Sequence, residues 1–291
     1  MLRPALLSFA ALAPLALALA PASPDADPPT SVQDQGDAHG QDHDAQAAGA
    51  TLDADDPLAA LFAAEGLHLD RDAGLVAFPA DVLVDNELLE YLLVGPSGAA
   101  HESLLISRVT PSVINAAILS LGLEQGRNAR YELKDPAPSE EELRAGARTH
   151  DLLLPEGDGL LPYLAWREGD ETYLLRAEDA LCNLAEGRSM RRHAWVYLGS
   201  RFDTLRGQEG EVFLADVEQN LINLAIFSET TSLMTGSLPE CEIQTIWRAN
   251  PWLLPPPGQP VLLVLAREHL VELPADLAAR LPEPVRERED A

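Results

Sequence analysis

A helix that is apolar on almost every side constrains this fold more than any other feature of the sequence. Thr110 is a good N-cap residue and Pro111 suits the first helical position, so a helix is predicted to start here. Its apolar residues cover nearly the whole circumference, and Gly122 supplies a left-handed stop. Because such a helix must be covered on both sides, we predict a buried helix at about 111–121 that packs on a sheet.

The segments around this helix are typical of strands. Residues 67–78 alternate about an Asp-Ala-Gly turn, and residues 160–177 form a second hairpin that turns at Gly169. Further strand-like runs occupy 88–95, 101–109, 193–200, 211–227 and 260–266. Strands therefore dominate and most connections look hairpin-like. We predict an α+β fold with a mainly antiparallel sheet built from hairpins, one buried helix and one or two shorter helices.

Two segments favour the shorter helices. Ser139 followed by Glu142 is a capping box, which predicts a short exposed helix within 135–150 as an excursion from the core. Residues 178–187 are predicted to form another short helix that Gly187 ends.

The N-terminus has the layout of a signal peptide. Arg3 precedes an almost wholly apolar run at 5–20, which ends in small residues and Pro. The run is short for a membrane span, and cleavage after Ala22 suits the small-residue rule. We predict a signal peptide at 1–22, a periplasmic or secreted protein, and no integral membrane segment after cleavage; an uncleaved anchor is the alternative.

Composition divides the rest of the chain into three parts. Residues 23–56 carry no Lys or Arg and hardly a large apolar residue, which predicts a disordered acidic linker. Residues 57–272 have the apolar density of one folded α+β domain. Residues 273–291 are charged and rich in Pro, as expected for a tail.

Charge and motifs exclude several classes of function. The net charge of −27 argues against nucleic acid and against an anionic membrane surface. The histidines of the folded part are scattered, and the chain has no phosphate-binding, dinucleotide-binding or zinc-protease motif. We therefore expect no cofactor and no metal site, and a small molecule or a protein as partner.

Four residues are candidates for a binding site. His101 and Glu102 stand together at the start of a strand, where neighbouring side chains point to opposite faces, so they form no catalytic triad with Ser103. Ser200 follows Gly199 at a strand end, and Asp216 closes one strand of the 211–227 hairpin. His101, Glu102, Ser200 and Asp216 are thus the candidates for binding, although each also fits ordinary strand-edge or turn chemistry. We assign no catalytic residue.

The chain has two cysteines, Cys182 and Cys241. In an exported protein two cysteines can pair, and a disulfide between them would close a long loop. Both also lie in apolar surroundings, where a free thiol packs well. The sequence leaves both alternatives open.

The stretch from 88 to 126 also carries a family resemblance. Its Leu-Glu-Tyr, His-Glu-Ser and Ala-Ala elements, together with the later "HAWVYLGS", "VFLADVEQNLINLAIF" and "PVLLVL", resemble the YdjY-domain proteins of bacteria over about residues 66 to 266. The family often has His where this chain has Asn115, and Asp-x-x-Gly where Asp216 is followed by Val-Glu-Gln. The resemblance implies an exported domain with no established activity.

These observations favour a non-catalytic binding or interaction domain outside the cytoplasm. The alternative is an extracytoplasmic hydrolase or metal-dependent enzyme with its site near His101, Glu102, Ser200 and Asp216. Whether these side chains meet in one cleft separates the two interpretations.

We expect the mature protein from its native host to begin at or close to Ser23, because Ala20-Pro21-Ala22 is the best cleavage sequence after the apolar run. N-terminal sequencing checks this. Recovery of chains from the cytosol with Met1 intact would contradict it.

Overall fold

Strands dominate the residues described by the computed structural model, which are 57–84 and 87–283. In chain order the strands are β1 (His68–Asp70), β2 (Leu75–Val82), β3 (Tyr91–Val94), β4 (Ser103–Ile106), β5 (Arg130–Leu133), β6 (His150–Leu153), β7 (Gly159–Glu168), β8 (Glu171–Arg176), β9 (Leu181–Asn183), β10 (Arg188–Ser189), β11 (Trp195–Tyr197), β12 (Phe202–Asp203), β13 (Val212–Phe213), β14 (Asn220–Asn223), β15 (Met234–Thr235), β16 (Trp247–Ala249) and β17 (Pro260–Ala266). The helices are α1 (Pro57–Ala64), α2 (Pro111–Ser120), α3 (Glu140–Arg144), α4 (Leu214–Glu218) and α5 (Ala275–Ala278). The structure thus agrees with the α+β class in its coarse form.

The main sheet closes into an eight-stranded barrel. Its order is β2-β17-β7-β11-β15-β14-β3-β4, and β4 pairs back to β2 through Ile106 and Leu105. Strands β1 and β8 extend the sheet outside this ring, by pairing with β2 and β7. Because the ring is closed, each of its strands has a neighbour on both sides, with which its backbone N–H and C=O groups can pair.

Hairpins explain only part of this barrel. The predicted hairpins β1–β2 and β7–β8 are both present, and Gly169 adopts φ +54° at the second turn. By contrast, β3 and β4 run parallel, with Leu93 opposite Leu105, and β14 and β15 are also parallel. Strand β17 lies between β2 and β7, which come from far earlier in the chain. Long-range pairing rather than a series of hairpins therefore builds the ring.

The predicted central helix is present as α2, but one of its sides faces solvent. It begins at Pro111 and is followed by Gly122 with φ +77°, as the stop signal requires. Ile114 and Ile118 are buried in the core cluster that also contains the barrel strands, whereas Leu119 is 50% exposed. We predicted that both sides of α2 would be covered. Only the side with Ile114 and Ile118 is, and the side with Leu119 faces solvent.

A second apolar layer covers the outer face of three barrel strands. Alternate residues of β17 belong to two different clusters: Leu263 faces the main core, and Val264 faces the other side. There Leu277 and Leu281 pack against Tyr163 and its neighbours on β2, β7 and β17. The packed chain therefore reaches Leu281, beyond residue 272, where we predicted the domain to end.

Two predicted short helices have different outcomes. The capping box is confirmed, because Ser139 Oγ accepts a hydrogen bond from the Glu142 amide and the Glu142 carboxylate accepts one from the Ser139 amide. The resulting α3 is exposed and lies between the paired strands β5 and β6.

The helix predicted at 178–187 is wrong. A turn of 3-10 helix at Ala177–Ala180 leads directly into β9, which pairs with β10 and β16. Glu178, predicted to begin the helix, is instead buried, and its carboxylate accepts hydrogen bonds from Arg176 and from Trp195 Nε1. These contacts link the 3-10 turn to β8, through Arg176, and to β11, through Trp195.

The predicted signal peptide and linker lie outside the described residues. Within 57–84 and 87–283, no helix combines the length and the apolar character needed to cross a membrane.

We expect Ile118→Ala to lower the free energy of unfolding by about 2–5 kcal/mol, because it empties a fully buried position. Leu119→Ala on the same helix is the matched control and should cost less than about 1 kcal/mol, since Leu119 is half exposed. Urea denaturation of both variants measures the difference, and equal losses would contradict the placement of α2.

Candidate functional site

His101 and Glu102 lie on the surface rather than in a cleft. They belong to a turn of 3-10 helix, Ala100–Glu102, and β4 starts only at Ser103. His101 Nε2 is 3.5 Å from Glu102 Oε1, and the His101 side chain is 79% exposed. Such a pair contributes little to stability or to binding because water screens it. Ser103, by contrast, is buried and donates its hydroxyl to the carbonyl of Leu105.

Asp216 has a structural contact that the sequence did not reveal. The predicted 211–227 hairpin is wrong, because residues 214–218 form α4 and Gln219 ends it with φ +56°. From α4, Asp216 Oδ1 accepts a hydrogen bond from the Ser112 amide at 2.8 Å. Thr110, the expected cap of α2, makes no side-chain cap and instead donates its hydroxyl to Glu65. Asp216 therefore caps α2 from a distant part of the chain, where its negative charge suits the helix N-terminus.

Ser200 lies in a strained turn beside Tyr197. Gly199 and Ser200 both have positive φ, +69° and +55°, and the buried Ser200 hydroxyl has no hydrogen-bond partner among the described residues. The Ser200 carbonyl accepts a hydrogen bond from Gln125, and Tyr197 donates its hydroxyl to Asn115 at 2.6 Å. Burial raises the pKa of Tyr197 to about 12, so this phenol stays protonated.

The four predicted residues thus make separate contacts. Across residues 57–84 and 87–283, no hydrogen bond or ion pair joins His101 or Glu102 to Ser200 or Asp216. The two cysteines are also separate free thiols: Cys182 is half-buried on β9, and Cys241 is fully buried. Burial raises the pKa of Cys241 to about 12, which keeps it unreactive.

A cavity of about 450 Å³ opens instead beside β1. Phe62 of α1 and Leu67 form apolar walls, and His68, Asp70 and Arg280 add polar and charged groups. None of these residues was a candidate in the sequence, where His68 is one of several scattered histidines.

Local signals build one side of this cavity. Helix α1 ends where the Leu67 amide bonds to the Phe62 carbonyl and Gly66 takes φ +71°, which turns the chain back into β1. On β1, His68 and Asp70 are two residues apart and so point to the same face. Asp70 Oδ1 accepts a hydrogen bond from the Ala73 amide at 2.8 Å, which holds the turn into β2.

The C-terminal segment completes the cavity. Leu277 is buried against the barrel, and this fixes α5 so that Asp276 Oδ2 lies 2.9 Å from His68 Nε2. This contact is an ion pair when His68 is protonated, and in the part of the chain that the structure describes Nε2 has no hydrogen-bond partner besides Asp276. His68, Asp70 and Asp276 each offer one ligand atom, and these atoms all lie within 4.8 Å of one another.

Burial sets the protonation state of His68. Desolvation, aided by the positive charge of Arg280, lowers the pKa of His68 below its usual value, and this outweighs the opposite effects of Asp276 and Asp70. The imidazole is therefore neutral at pH 7, the form in which histidine binds metals and accepts hydrogen bonds.

No protein-family model, curated protein or solved structure matches the chain. The resemblance to the YdjY-domain proteins stays a prediction, and the function has to be argued from the side chains that line the cavity.

We expect Asp216→Ala to lower the free energy of unfolding by about 1 kcal/mol, because the Ser112 amide loses its cap. Asp216→Asn keeps an oxygen acceptor and should cost less. Chemical denaturation of the two variants tests this role, and an Asp216→Ala variant as stable as the parent would show that the cap is dispensable.

Proposed function

We propose that this protein is an exported binding domain without a catalytic role of its own, and that it holds a small molecule in the cavity beside β1. The observation that carries the proposal is the cavity itself. Its volume of about 450 Å³ lies within the range of roughly 300–1,000 Å³ that small-molecule sites occupy. Export is part of the proposal and rests on the N-terminal sequence pattern.

The lining supports a polar, small ligand. Phe62 and Leu67 provide apolar contact area, while His68, Asp70 and Arg280 provide an acceptor or donor, a negative charge and a positive charge. A few polar groups on an apolar wall orient a ligand and select it. The net charge of −27 supports a small molecule over nucleic acid as the partner.

An enzyme with its site at His101, Glu102, Ser200 and Asp216 is the second candidate function, and the contacts favour it less. A general base has to be within hydrogen-bond reach of the group that it activates. His101 instead contacts Glu102 on the surface, and Asp216 is occupied by the Ser112 amide. Ser200 favours the enzyme more than the other three do, because its hydroxyl has no hydrogen-bond partner among the described residues and is free to react.

We expect Ala59→Trp to abolish binding of the retained ligand, because Ala59 lines the cavity and an indole would fill it. Ala60→Trp is the matched control, since Ala60 is the next residue of α1 and is exposed. Native mass spectrometry of protein purified from the native host identifies the ligand and compares its occupancy in the two variants.

Equal occupancy in both variants would place the ligand elsewhere. If that ligand disappeared instead on His101→Ala, a substitution at the exposed 3-10 turn, the surface around His101 would be the site.

A further inference from the structure

We propose that His68, Asp70 and Asp276 bind a divalent transition-metal ion, with Zn²⁺ as the ion that this donor set suits best. The inference deepens the function proposed above and rests on the same cavity, which would supply the remaining coordination positions. One imidazole nitrogen and two carboxylates are ligands that zinc accepts, and three protein ligands leave an open position for water or a bound molecule.

The spacing of the three ligand atoms fits one ion. Bonds from zinc to nitrogen or oxygen are about 2.1 Å, so neighbouring ligand atoms lie roughly 3.0–3.4 Å apart around it. His68 Nε2 and Asp276 Oδ2 are already 2.9 Å apart, and all three ligand atoms lie within 4.8 Å of one another. Small side-chain rotations of Asp70 and Asp276 would complete the set, and the half-exposed Asp276 has room to make one.

His68 presents a buried nitrogen to the two carboxylates. Its side chain is only 16% exposed, and the Nε2 atom lies 2.9 Å from Asp276 Oδ2. A cation between Nε2 and Oδ2 would turn this contact into two coordination bonds.

A backbone hydrogen bond fixes the orientation of the Asp70 carboxylate. One of its carboxylate oxygens accepts the hydrogen bond from the Ala73 amide, which orients the carboxylate in the turn between β1 and β2. A carboxylate oriented in this way still has acceptor capacity for a metal, and such second contacts commonly position metal ligands.

The charges around the site allow a dication. The two carboxylates of Asp70 and Asp276 together balance the +2 charge of such an ion. Arg280, whose charge opposes a cation, is exposed and can turn toward solvent. At the cavity mouth the Arg280 guanidinium could also pair with the anionic group of a molecule bound at the open metal position, since guanidinium pairs well with carboxylate and phosphate.

The simpler interpretation is that His68 and Asp276 only pin α5 to the barrel. The two interpretations differ in one consequence. Because His68 and Asp70 lie on β1 and Asp276 lies on α5, a bound ion would connect the two ends of the described chain and raise the melting temperature as its concentration rises.

Zinc binding by the full chain, stripped of metal with a chelator, tests the proposal. Titration calorimetry should show a zinc site that Asp276→Asn weakens roughly tenfold or more. Asp170→Asn is the matched control, because it removes the same charge from the exposed β7–β8 turn, outside the cavity lining, and should change the affinity by less than about twofold. A His39→Ala/His43→Ala variant removes the two histidines of the N-terminal segment and should keep the site.

A second measurement does not depend on any variant. Added Co²⁺ should give visible d–d absorption of a site with nitrogen and oxygen ligands, and excess Zn²⁺ should displace it. Absence of zinc binding by the parent chain, or equal zinc affinity of the parent and Asp276→Asn, would overturn the proposal.

The outcome also separates this inference from the proposed function. Retention of an organic ligand that Ala59→Trp abolishes, without zinc binding, would leave the binding domain standing and refute the metal site. Zinc binding that Asp276→Asn abolishes, in a protein that retains no organic ligand in the cavity, would support the metal site and refute the small-molecule function.

Discussion

The structure depends above all on the pairing of β2 with its neighbours. Along its length β2 pairs with β17, from Leu75 opposite Ala266 to Asp81 opposite Pro260, and near its end it pairs with β4 to close the barrel. The edge that pairs with β4 also carries β1, the strand that presents His68 and Asp70. One strand therefore closes the core and positions the candidate site.

Burial on both faces distinguishes this part of the barrel. Alternate residues of β2 and β17 face the main core and the outer layer, so few of their side chains meet water. Strands of this kind read as continuous apolar runs rather than alternating ones. The outer layer is closed by Leu277 and Leu281, so the C-terminal segment is part of the fold as well as of the cavity.

Several polar side chains bind backbone groups of segments that are distant in the chain. Asp216 caps α2, and the α4–β14 turn binds the loop after β3, where Gln219 Oε1 accepts from the Ser97 amide and Asn220 Oδ1 from the Ala99 amide. Asp216, a candidate for binding in the sequence, is thus used together with Gln219 and Asn220 to satisfy backbone groups of distant segments. Backbone N–H groups in loops and at helix starts have no partner within their own element, which explains why polar side chains gather here.

The sequence by itself determined the elements whose signals are local. Pro111 and Gly122 bound α2, Ser139 and Glu142 cap α3, and Gly169 turns the β7–β8 hairpin, because each of these effects acts within a few residues. Only the tertiary structure decided which strands are neighbours, that β3 and β4 are parallel, and that Asp216 lies in a helix. The candidate site belongs to this second group. His68 and Asp70 stand two residues apart on one strand, but Asp276 reaches them only because the burial of Leu277 docks α5 on the barrel, and such long-range packing leaves no local pattern in the chain.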